Sequence, residues 1–147
     1  MEERTRVFVD SNVFIALANE SDSLHKRALS TLTALERENF DILINNLIFA
    51  EIVTIISMRL GRQEGIQWGK TILDNPKIKI AHIDSDIHYY TWQIFQKINK
   101  KNISFTDCSI LTILQTENIK HLLTFDHTDF QSLQKQFRFK MISQWAH

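Results

Sequence analysis

Short apolar runs alternate with longer stretches of helical period along this chain, and this alternation is the strongest constraint on its fold. Runs rich in β-branched and aromatic residues predict strands, whereas apolar residues that recur every three or four positions predict helices. Strands separated by helices imply βαβ crossovers, and hence a parallel sheet covered by helices on both faces. The predicted strands are 6–9, 41–44, 77–83 and 120–125, and the predicted helices are 13–19, 22–38, 46–60, 62–74, 84–100 and 104–117.

The chain is expected to form a single domain. It has 147 residues with no internal repeat, linker or low-complexity segment, so we expect one α/β domain over 1–147. A fifth strand, at an edge of the sheet, is predicted where Phe137, Phe139 and Met141 alternate with other residues, which gives a sheet of four to five strands. Side-chain oxygens that can accept free backbone N–H bonds predict helix starts at Asp22 or Ser23, at Asp84 or Ser85, and at Ser104.

Composition narrows the possible partners and compartments. Seventeen Lys and Arg residues balance seventeen Asp and Glu residues, so a nucleic-acid partner would have to bind a local basic patch. The single cysteine, Cys108, cannot form an internal disulfide, which fits a reducing compartment. No apolar run reaches membrane-spanning length and the N-terminus lacks signal-peptide character, so we expect a soluble, cytoplasmic protein without a membrane partner.

Two aspartates follow strands that are predicted to be buried. Asp10 comes directly after the apolar run VFV, and Asp126 follows LLTF at the end of a later strand. Because ligands bind at the carboxyl ends of the strands in open α/β sheets, both carboxylates are candidate site residues. Asp10 has an equally good structural explanation, since Asp is a favoured N-cap and the next segment is helical.

Glu51 lies on an apolar face of the predicted helix 46–60. The positions three and four residues away from it are Leu47, Ile48, Thr54 and Ile55. A buried carboxylate either becomes protonated or is held by a cation, so Glu51 is a candidate site residue as well. The alternative is a solvated edge of this face, where Glu51 would pair with a nearby Lys or Arg.

Asp107 is predicted on the inner face of a later helix, near Ile110, Leu111 and Leu114. The alternative explanation is again structural. Ser104 and Asp107 have the spacing of a capping box with Asp in place of Glu, and the helix dipole favours an acid in the first turn. Capping alone could therefore account for Asp107.

Taken together, the four acids need a further explanation. Each of Asp10, Glu51, Asp107 and Asp126 is flanked by sequence that is predicted to be buried, and two or three of them can meet at one edge of the sheet. Clustered carboxylates repel one another and stay ionised at neutral pH only if a cation lies among them. All-oxygen ligands favour Mg²⁺ or Mn²⁺, and the lack of paired Cys or clustered His argues against zinc. We therefore expect one or two of these divalent ions as the cofactor.

Four segments carry a resemblance to a known family. They are VFVDSNVFIAL, NNLIFAEIVTII, ISFTDCSILTIL and HLLTFDHTDF, which together span most of the chain. In their order and approximate spacing they resemble the PIN-domain nucleases, and especially the VapC-type ribonuclease toxins of toxin–antitoxin pairs. The resemblance implies that Asp10, Glu51, Asp107 and Asp126 are both the catalytic residues and the ligands of Mg²⁺ or Mn²⁺.

The resemblance also implies supporting residues and protein partners. Ser11 and Asn12 match the small polar positions after the first acid, and Asp129 matches a further, less regular acid. Ser104 and Thr106 belong to the turn that precedes the third acid. By the same resemblance we expect a homodimer that is silenced by a cognate antitoxin.

Such a site predicts hydrolysis of RNA. Two divalent ions about 4 Å apart can clamp a phosphodiester. Together with the resemblance, which implies RNA as the substrate, this gives the hypothesis of a metal-dependent endoribonuclease, the toxin of a type II toxin–antitoxin pair. Two alternatives share the fold: a catalytically inactive PIN-like binding scaffold, and a PIN nuclease of RNA processing unrelated to toxin–antitoxin systems. An aspartyl-phosphate phosphatase also places Asp after its first strand, but it needs a second Asp two residues later, where this chain has Asn12.

RNA binding would require cations outside the acidic pocket, because phosphate contacts dominate nucleic-acid affinity. The candidates are Arg59, Arg62, Lys100 and Lys101. Near helix ends, such residues also commonly belong to a solvated face, which is their alternative role. Aromatic side chains could stack on bases, but we expect the aromatic residues Trp68, Trp92 and Phe105 to lie in the core instead.

Overall fold

The strands form one parallel sheet in the computed structural model, which describes residues 4–142. They are β1 (Thr5–Val9), β2 (Phe40–Asn45), β3 (Ile78–Ala81), β4 (His121–Leu123) and β5 (Lys140–Ile142). Their order in the sheet is β3-β2-β1-β4-β5, and every pairing is parallel. The predicted α/β class is therefore confirmed, as is the edge position of the fifth strand.

Helices connect the strands, as crossovers between parallel strands require. They are α1 (Ser11–Ala18), α2 (His25–Arg37), α3 (Asn46–Leu60), α4 (Arg62–Asp74), α5 (Ser85–Lys97), α6 (Phe105–Thr116), α7 (His127–Phe130) and α8 (Gln134–Phe137), with a 3₁₀ turn over Gln131–Leu133. The bounds of α1 to α6 agree with the sequence prediction to within three residues, and Asp84 caps α5 as predicted. Within residues 4–142, no helix combines the length and the apolar composition needed to cross a membrane.

The central strand is covered on both faces. Val7, Phe8 and Val9 of β1 are all fully buried. Successive side chains of a strand point to opposite faces, so burial of three in a row requires packing on both sides of the sheet. The register pairs Val9 with Leu123 of β4. The residues that follow these two strands therefore leave the sheet at the same carboxyl edge.

Two local predictions are wrong. The helix α2 begins at His25 rather than near residue 22, because Asp22 accepts the N–H of Leu24 (2.8 Å) and closes a turn before the helix. The fifth strand is shorter than predicted, and Phe137 ends α8 instead of lying in it. There, Arg138 adopts a left-handed conformation (φ 54°, ψ 50°) that stops the helix and redirects the chain into β5.

Glycine allows α3 and α4 to pack closely. Gly61 joins the two helices with a φ of +109°, a conformation that favours glycine. At Gly65 of α4, an added Cβ would collide with Ser57 Oγ and would lie 2.8 Å from the carbonyl oxygen of Val53 on α3. A larger residue at position 65 therefore has to push the two helices apart.

We expect Gly65→Ala to lower the free energy of unfolding by about 1–3 kcal/mol, because overpacking against the α3 backbone outweighs the better helix propensity of alanine. Urea denaturation followed by circular dichroism measures the change. Gln67→Ala, at an exposed position of the same helix, is the matched control and should change stability little. Equal stability of the two variants would show that the contact at Gly65 is not tight.

Candidate active site

Asp10 lies at the carboxyl end of the central strand, between β1 and α1. Its Oδ1 accepts the backbone N–H of Ser11 (2.7 Å), and its Oδ2 accepts the hydroxyl of Thr124 (2.9 Å). Asp10 is thus the N-cap of α1, as its structural explanation predicts, and it is only 6% exposed. Capping uses Oδ1 of Asp10, while Oδ2 accepts the hydrogen bond from Thr124, the residue that follows β4.

Glu51 is hydrogen-bonded to Ser11, the residue next to Asp10. The hydroxyl of Ser11 donates to Glu51 Oε2 (2.6 Å), which connects the start of α1 to the second turn of α3. Within residues 4–142, no Lys or Arg forms an ion pair with Glu51, so the alternative of a basic partner is wrong. The half-buried carboxylate therefore lies beside Asp10 with a hydroxyl as its partner.

Asp107 lies in the first turn of α6 and forms the predicted capping box. Its backbone N–H donates to Ser104 Oγ, and its Oδ2 accepts the backbone N–H of Ser104, both at 3.0 Å. Burial raises the pKa of the Asp107 carboxyl, and the negative charges of Asp129 and Glu51 raise this pKa further. Asp107 thus caps its helix and also faces other acids.

Asp126 is placed by the end of β4. Its backbone N–H donates to the hydroxyl oxygen of Thr124 (3.0 Å). Burial raises the pKa of Asp126 to about 6, and hydrogen bonding and charge from Asp129 and the charge of Asp107 add to this rise. Asp129 therefore lies among the predicted acids.

These carboxyl groups interact with one another and define an acid cluster at the carboxyl edge of the sheet. Burial raises the pKa of Asp10 to about 7, and the charges of Asp107 and Glu51 contribute to this shift. The charges of Glu51 and Asp129 act on Asp107, and those of Asp107 and Asp129 act on Asp126, so the five acids interact electrostatically. The acid cluster consists of Asp10, Glu51, Asp107, Asp126 and Asp129.

The acid cluster has a donor set that suits Mg²⁺ or Mn²⁺, since every donor is a carboxylate oxygen. Asp107 Oδ1 and Glu51 Oε1 accept no hydrogen bond from residues 4–142, so both oxygens are free to bind a cation. In the same described range, no three His, Cys, Asp or Glu side chains lie close enough together to hold a metal ion in this arrangement, so the acids would have to approach one another to bind it. Mutual repulsion opposes closer approach of the acids, and a cation among them would remove that opposition.

Known proteins provide an independent comparison with this site. A sequence model described as the PIN domain matches residues 7–136, which is most of the chain. The chain belongs to the PIN domain family. The resemblance drawn from the four acid-bearing segments is therefore confirmed.

This PIN domain is similar to proteins of the VapC type. The 23S rRNA-specific endonuclease VapC20 of Mycobacterium tuberculosis is 20% identical over 120 residues, which cover 82% of this chain and 88% of that relative. The crystal structure of M. tuberculosis VapC20, described as a Sarcin-Ricin loop cleaving toxin, matches with a TM-score of 0.75 and 20% identity over 86% of this chain and 94% of that chain. VapBC2 from Rickettsia felis, bound to a DNA fragment from its promoter, gives a TM-score of 0.69 and 16% identity over 94% and 98% of the two chains. A toxin–antitoxin complex from Klebsiella pneumoniae matches with a TM-score of 0.63 and 18% identity, over 96% of this chain and 99% of that chain.

Thr124 organises the acid cluster, although it was not predicted as a site residue. The Thr124 hydroxyl donates a hydrogen bond to Asp10. The same oxygen accepts hydrogen bonds from Asn12 Nδ2 (3.3 Å) and from the backbone N–H of Asp126. One donated and two accepted bonds use the full capacity of a hydroxyl. Asn12 Oδ1 also accepts the N–H of Phe125 (3.2 Å). The signal in the sequence was a hydroxyl directly after a buried strand, the same position that Asp10 occupies.

A second buried network connects α3 to α6. Thr106 contributes its carbonyl oxygen, which accepts the hydroxyl of Ser109 (2.5 Å), and Ser109 Oγ accepts Asn45 Nδ2 (3.0 Å). Asn45 and Ser109 are fully buried, and Asn45 also caps α3. These bonds fix the relative position of the helices that carry Glu51 and Asp107. Asn45 and Ser109 were not predicted.

The predicted RNA-binding residues lie outside the acid cluster. Arg59 is in the last turn of α3, eight residues or about 12 Å along the helix from Glu51. Arg62 begins α4 and is exposed. Lys100 and Lys101 are exposed in the segment that leads from α5 to the acid-bearing turn of α6. Of these candidates, the lysine pair is the one that directly precedes that turn in the chain.

Asp10→Asn should change how stability depends on pH. Burial raises the pKa of Asp10 from 3.8 to about 7, so the folded state binds this proton more tightly than the unfolded chain does. The stability that this proton contributes is complete below pH 3.8 and is lost as the pH rises through 7. In EDTA at about pH 8, the variant should therefore exceed the wild type in free energy of unfolding by about 2–4 kcal/mol.

Chemical denaturation from about pH 4 to pH 8 measures this difference. Asp74→Asn, an exposed change at the end of α4, is the matched control and should follow the wild type at every pH. If Asp10→Asn also follows the wild type, the carboxyl is not held protonated by the fold.

Thr124→Val should destabilise the domain by about 1–3 kcal/mol, because it removes a buried hydroxyl and leaves the groups that it binds unsatisfied. Thr124→Ser keeps the hydroxyl and should recover most of the loss. Urea denaturation compares the two variants. A valine variant as stable as the serine variant would mean that the hydroxyl does not hold Asp10 and Asp126 in place.

Proposed function

We propose that this PIN domain is an endoribonuclease that requires Mg²⁺ or Mn²⁺. The observation that carries the proposal is the acid cluster, in which burial and neighbouring charge raise the pKa of Asp10 to about 7 and that of Asp126 to about 6. Perturbed carboxyl groups at the carboxyl edge of a parallel sheet are typical of a functional site. The relative named as a 23S rRNA-specific endonuclease supports RNA as the substrate class.

Asp10, Glu51, Asp107 and Asp126 would hold the cation through carboxylate oxygens. A carboxylate has about four lone-pair sites, so the hydrogen bonds to Asp10 from Ser11 and Thr124 leave sites for a ligand bond. When bound, a divalent cation would activate a water molecule and offset negative charge on the phosphate. The chain itself orients the acids: Ser11 aims Glu51, and Thr124 sets both Asp10 and the backbone of Asp126.

Asp126 or Asp107 could also accept a proton from the attacking water. A general base works best when its pKa lies near the working pH, and burial raises the pKa of Asp126 to about 6. The pKa of Asp107 is raised by the same cause. Either carboxyl is therefore better suited to this role than an exposed aspartate.

We further propose that the protein is the toxin of a type II pair, with a cognate antitoxin as partner and a homodimer as its assembly. Support comes from the fold, which is similar to VapBC2 and to a toxin–antitoxin complex. A small antitoxin-like reading frame next to the gene, and co-purification of its product with this chain, would support the toxin over an RNA-processing nuclease.

The nuclease proposal predicts cleavage of RNA that depends on both the acids and the cation. Incubation of ribosomal RNA with the purified protein and Mn²⁺ should yield discrete fragments on a denaturing gel. EDTA should abolish cleavage, and Asp10→Asn or Asp107→Asn should slow it at least about a hundredfold, since even residues that support a metal ligand cost up to this much. Asp74→Asn, with a charge change of the same size, should cleave normally.

Mn²⁺ binding is measured separately by thermal unfolding. A ligand that binds only the folded state raises the melting temperature, so Mn²⁺ should stabilise the wild type and Asp74→Asn but not Asp10→Asn. A Mn²⁺ response without cleavage would reject the ribonuclease. The absence of both would favour the inactive scaffold.

A further inference from the structure

The exposed aromatic side chains of this structure are concentrated on α5. In residues 4–142, the large aromatic side chains that are more than a third exposed are Tyr89 (63%), Tyr90 (42%), Trp92 (44%) and Phe95 (37%). The expectation that Trp92 and Phe105 lie in the core is therefore wrong, since Trp92 is exposed and Phe105 is only half-buried, whereas Trp68 packs against the core as expected. Clustered exposed apolar area is typical of a binding surface.

Two members of this group, Trp92 and Phe95, form a continuous surface with Phe105 and His88, and we call this surface the aromatic shelf. Trp92 and Phe95 are stacked, with ring centroids 5.7 Å apart and an interplanar angle of 18°. Phe95 contacts Phe105 at 6.2 Å, and Phe105 contacts His88 at 5.1 Å. Positions 88, 92 and 95 have the spacing of one helix face. The shelf therefore runs from α5 to the first residue of α6.

Phe105 connects the aromatic shelf to the acid cluster. It begins α6, and Asp107 follows in the same turn. Two residues of chain span at most about 7 Å between Cα atoms, so the end of the shelf lies within one helical turn of Asp107, although side chains two positions apart on a helix do not face each other.

The segment that carries the aromatic shelf is also basic. Between Asp86 and Asp107, residues 87–106 contain Lys97, Lys100 and Lys101 and neither Asp nor Glu, in a chain whose formal net charge is zero. All three lysines are exposed. Lysine is depleted from protein–protein interfaces, whereas aromatic rings beside cations are the usual platform for single-stranded nucleic acid. The combination therefore favours RNA over a second protein chain.

We propose that the aromatic shelf stacks unpaired bases of a single-stranded RNA segment next to the bond to be cleaved, while Lys100 and Lys101 contact its phosphates. This proposal rests on the proposed function, and it adds the residues that would hold the RNA strand. Proteins that recognise RNA by its sequence commonly bind unpaired bases and stack them on aromatic side chains.

Two RNA ligands separate base stacking from phosphate binding. One is a labelled single-stranded oligonucleotide, and the other is an abasic strand of the same length with the same phosphates. Affinity is measured by fluorescence anisotropy in the Asp10→Asn background, in which cleavage is disabled. Trp92→Leu combined with Phe95→Leu should weaken binding of the first ligand at least about fivefold and leave binding of the abasic strand unchanged.

Matched variants complete the test. Trp92→Phe keeps an aromatic ring and should bind RNA nearly normally, and Tyr89→Leu is the control for losing an exposed aromatic ring outside the shelf on the same helix. Lys100→Ala combined with Lys101→Ala should weaken binding of both ligands and reduce the salt dependence. Circular dichroism checks that each variant is folded.

Two results would overturn the shelf. One is equal RNA affinity of the leucine double variant and its parent. The other is conversion of a dimer to a monomer by the same double variant in sedimentation, with the ratio of affinities for the two RNA ligands unchanged, which would make the shelf an interface between two copies. Cleavage by the wild type with no effect of the shelf variants rejects the shelf alone. Shelf-dependent binding by a protein that never cleaves RNA rejects the nuclease alone.

Discussion

A carboxylate buried at the end of the central strand is the constraint on which the site depends. β1 lies in the middle of the sheet, between β2 and β4. The residue that follows β1 is therefore surrounded by the segments that follow these neighbouring strands. Asp10 occupies that position with 6% exposure, and both of its oxygens are bound by the protein. Ser11 and Thr124 then extend this arrangement to α3 and to the end of β4.

The acid cluster is an electrostatic cost that local structure partly offsets. Asp10 caps α1 and Asp107 caps α6, so the same carboxylates that repel one another also satisfy backbone N–H groups. Their raised pKa values show that the ionised forms are disfavoured without a cation. Structural and site roles are therefore not alternatives here. Asp10 and Asp107 can each serve both, because a carboxylate has more acceptor sites than a cap uses.

The balanced net charge of the chain hides a separation of charge along it. The acid cluster gathers five carboxylates at one edge of the sheet, whereas residues 87–106 carry three lysines and no acid. The proposed phosphodiester substrate would need both environments, since its phosphates would bind cations and its reacting phosphate would lie at the proposed metal. The turn that starts α6 joins them within a few residues.

Sequence alone determined the α/β class and most helix and strand bounds, and it selected the four main acids as candidates, because hydrophobic period is local and a carboxylate in an apolar run stands out. Only the tertiary structure decided which groups meet. The Ser11–Glu51 bond spans 40 residues and the Thr124–Asp10 bond spans 114, and no local pattern encodes either. The exposure of Trp92 was equally unpredictable, since periodicity shows that a helix has an apolar face but not which neighbours cover it.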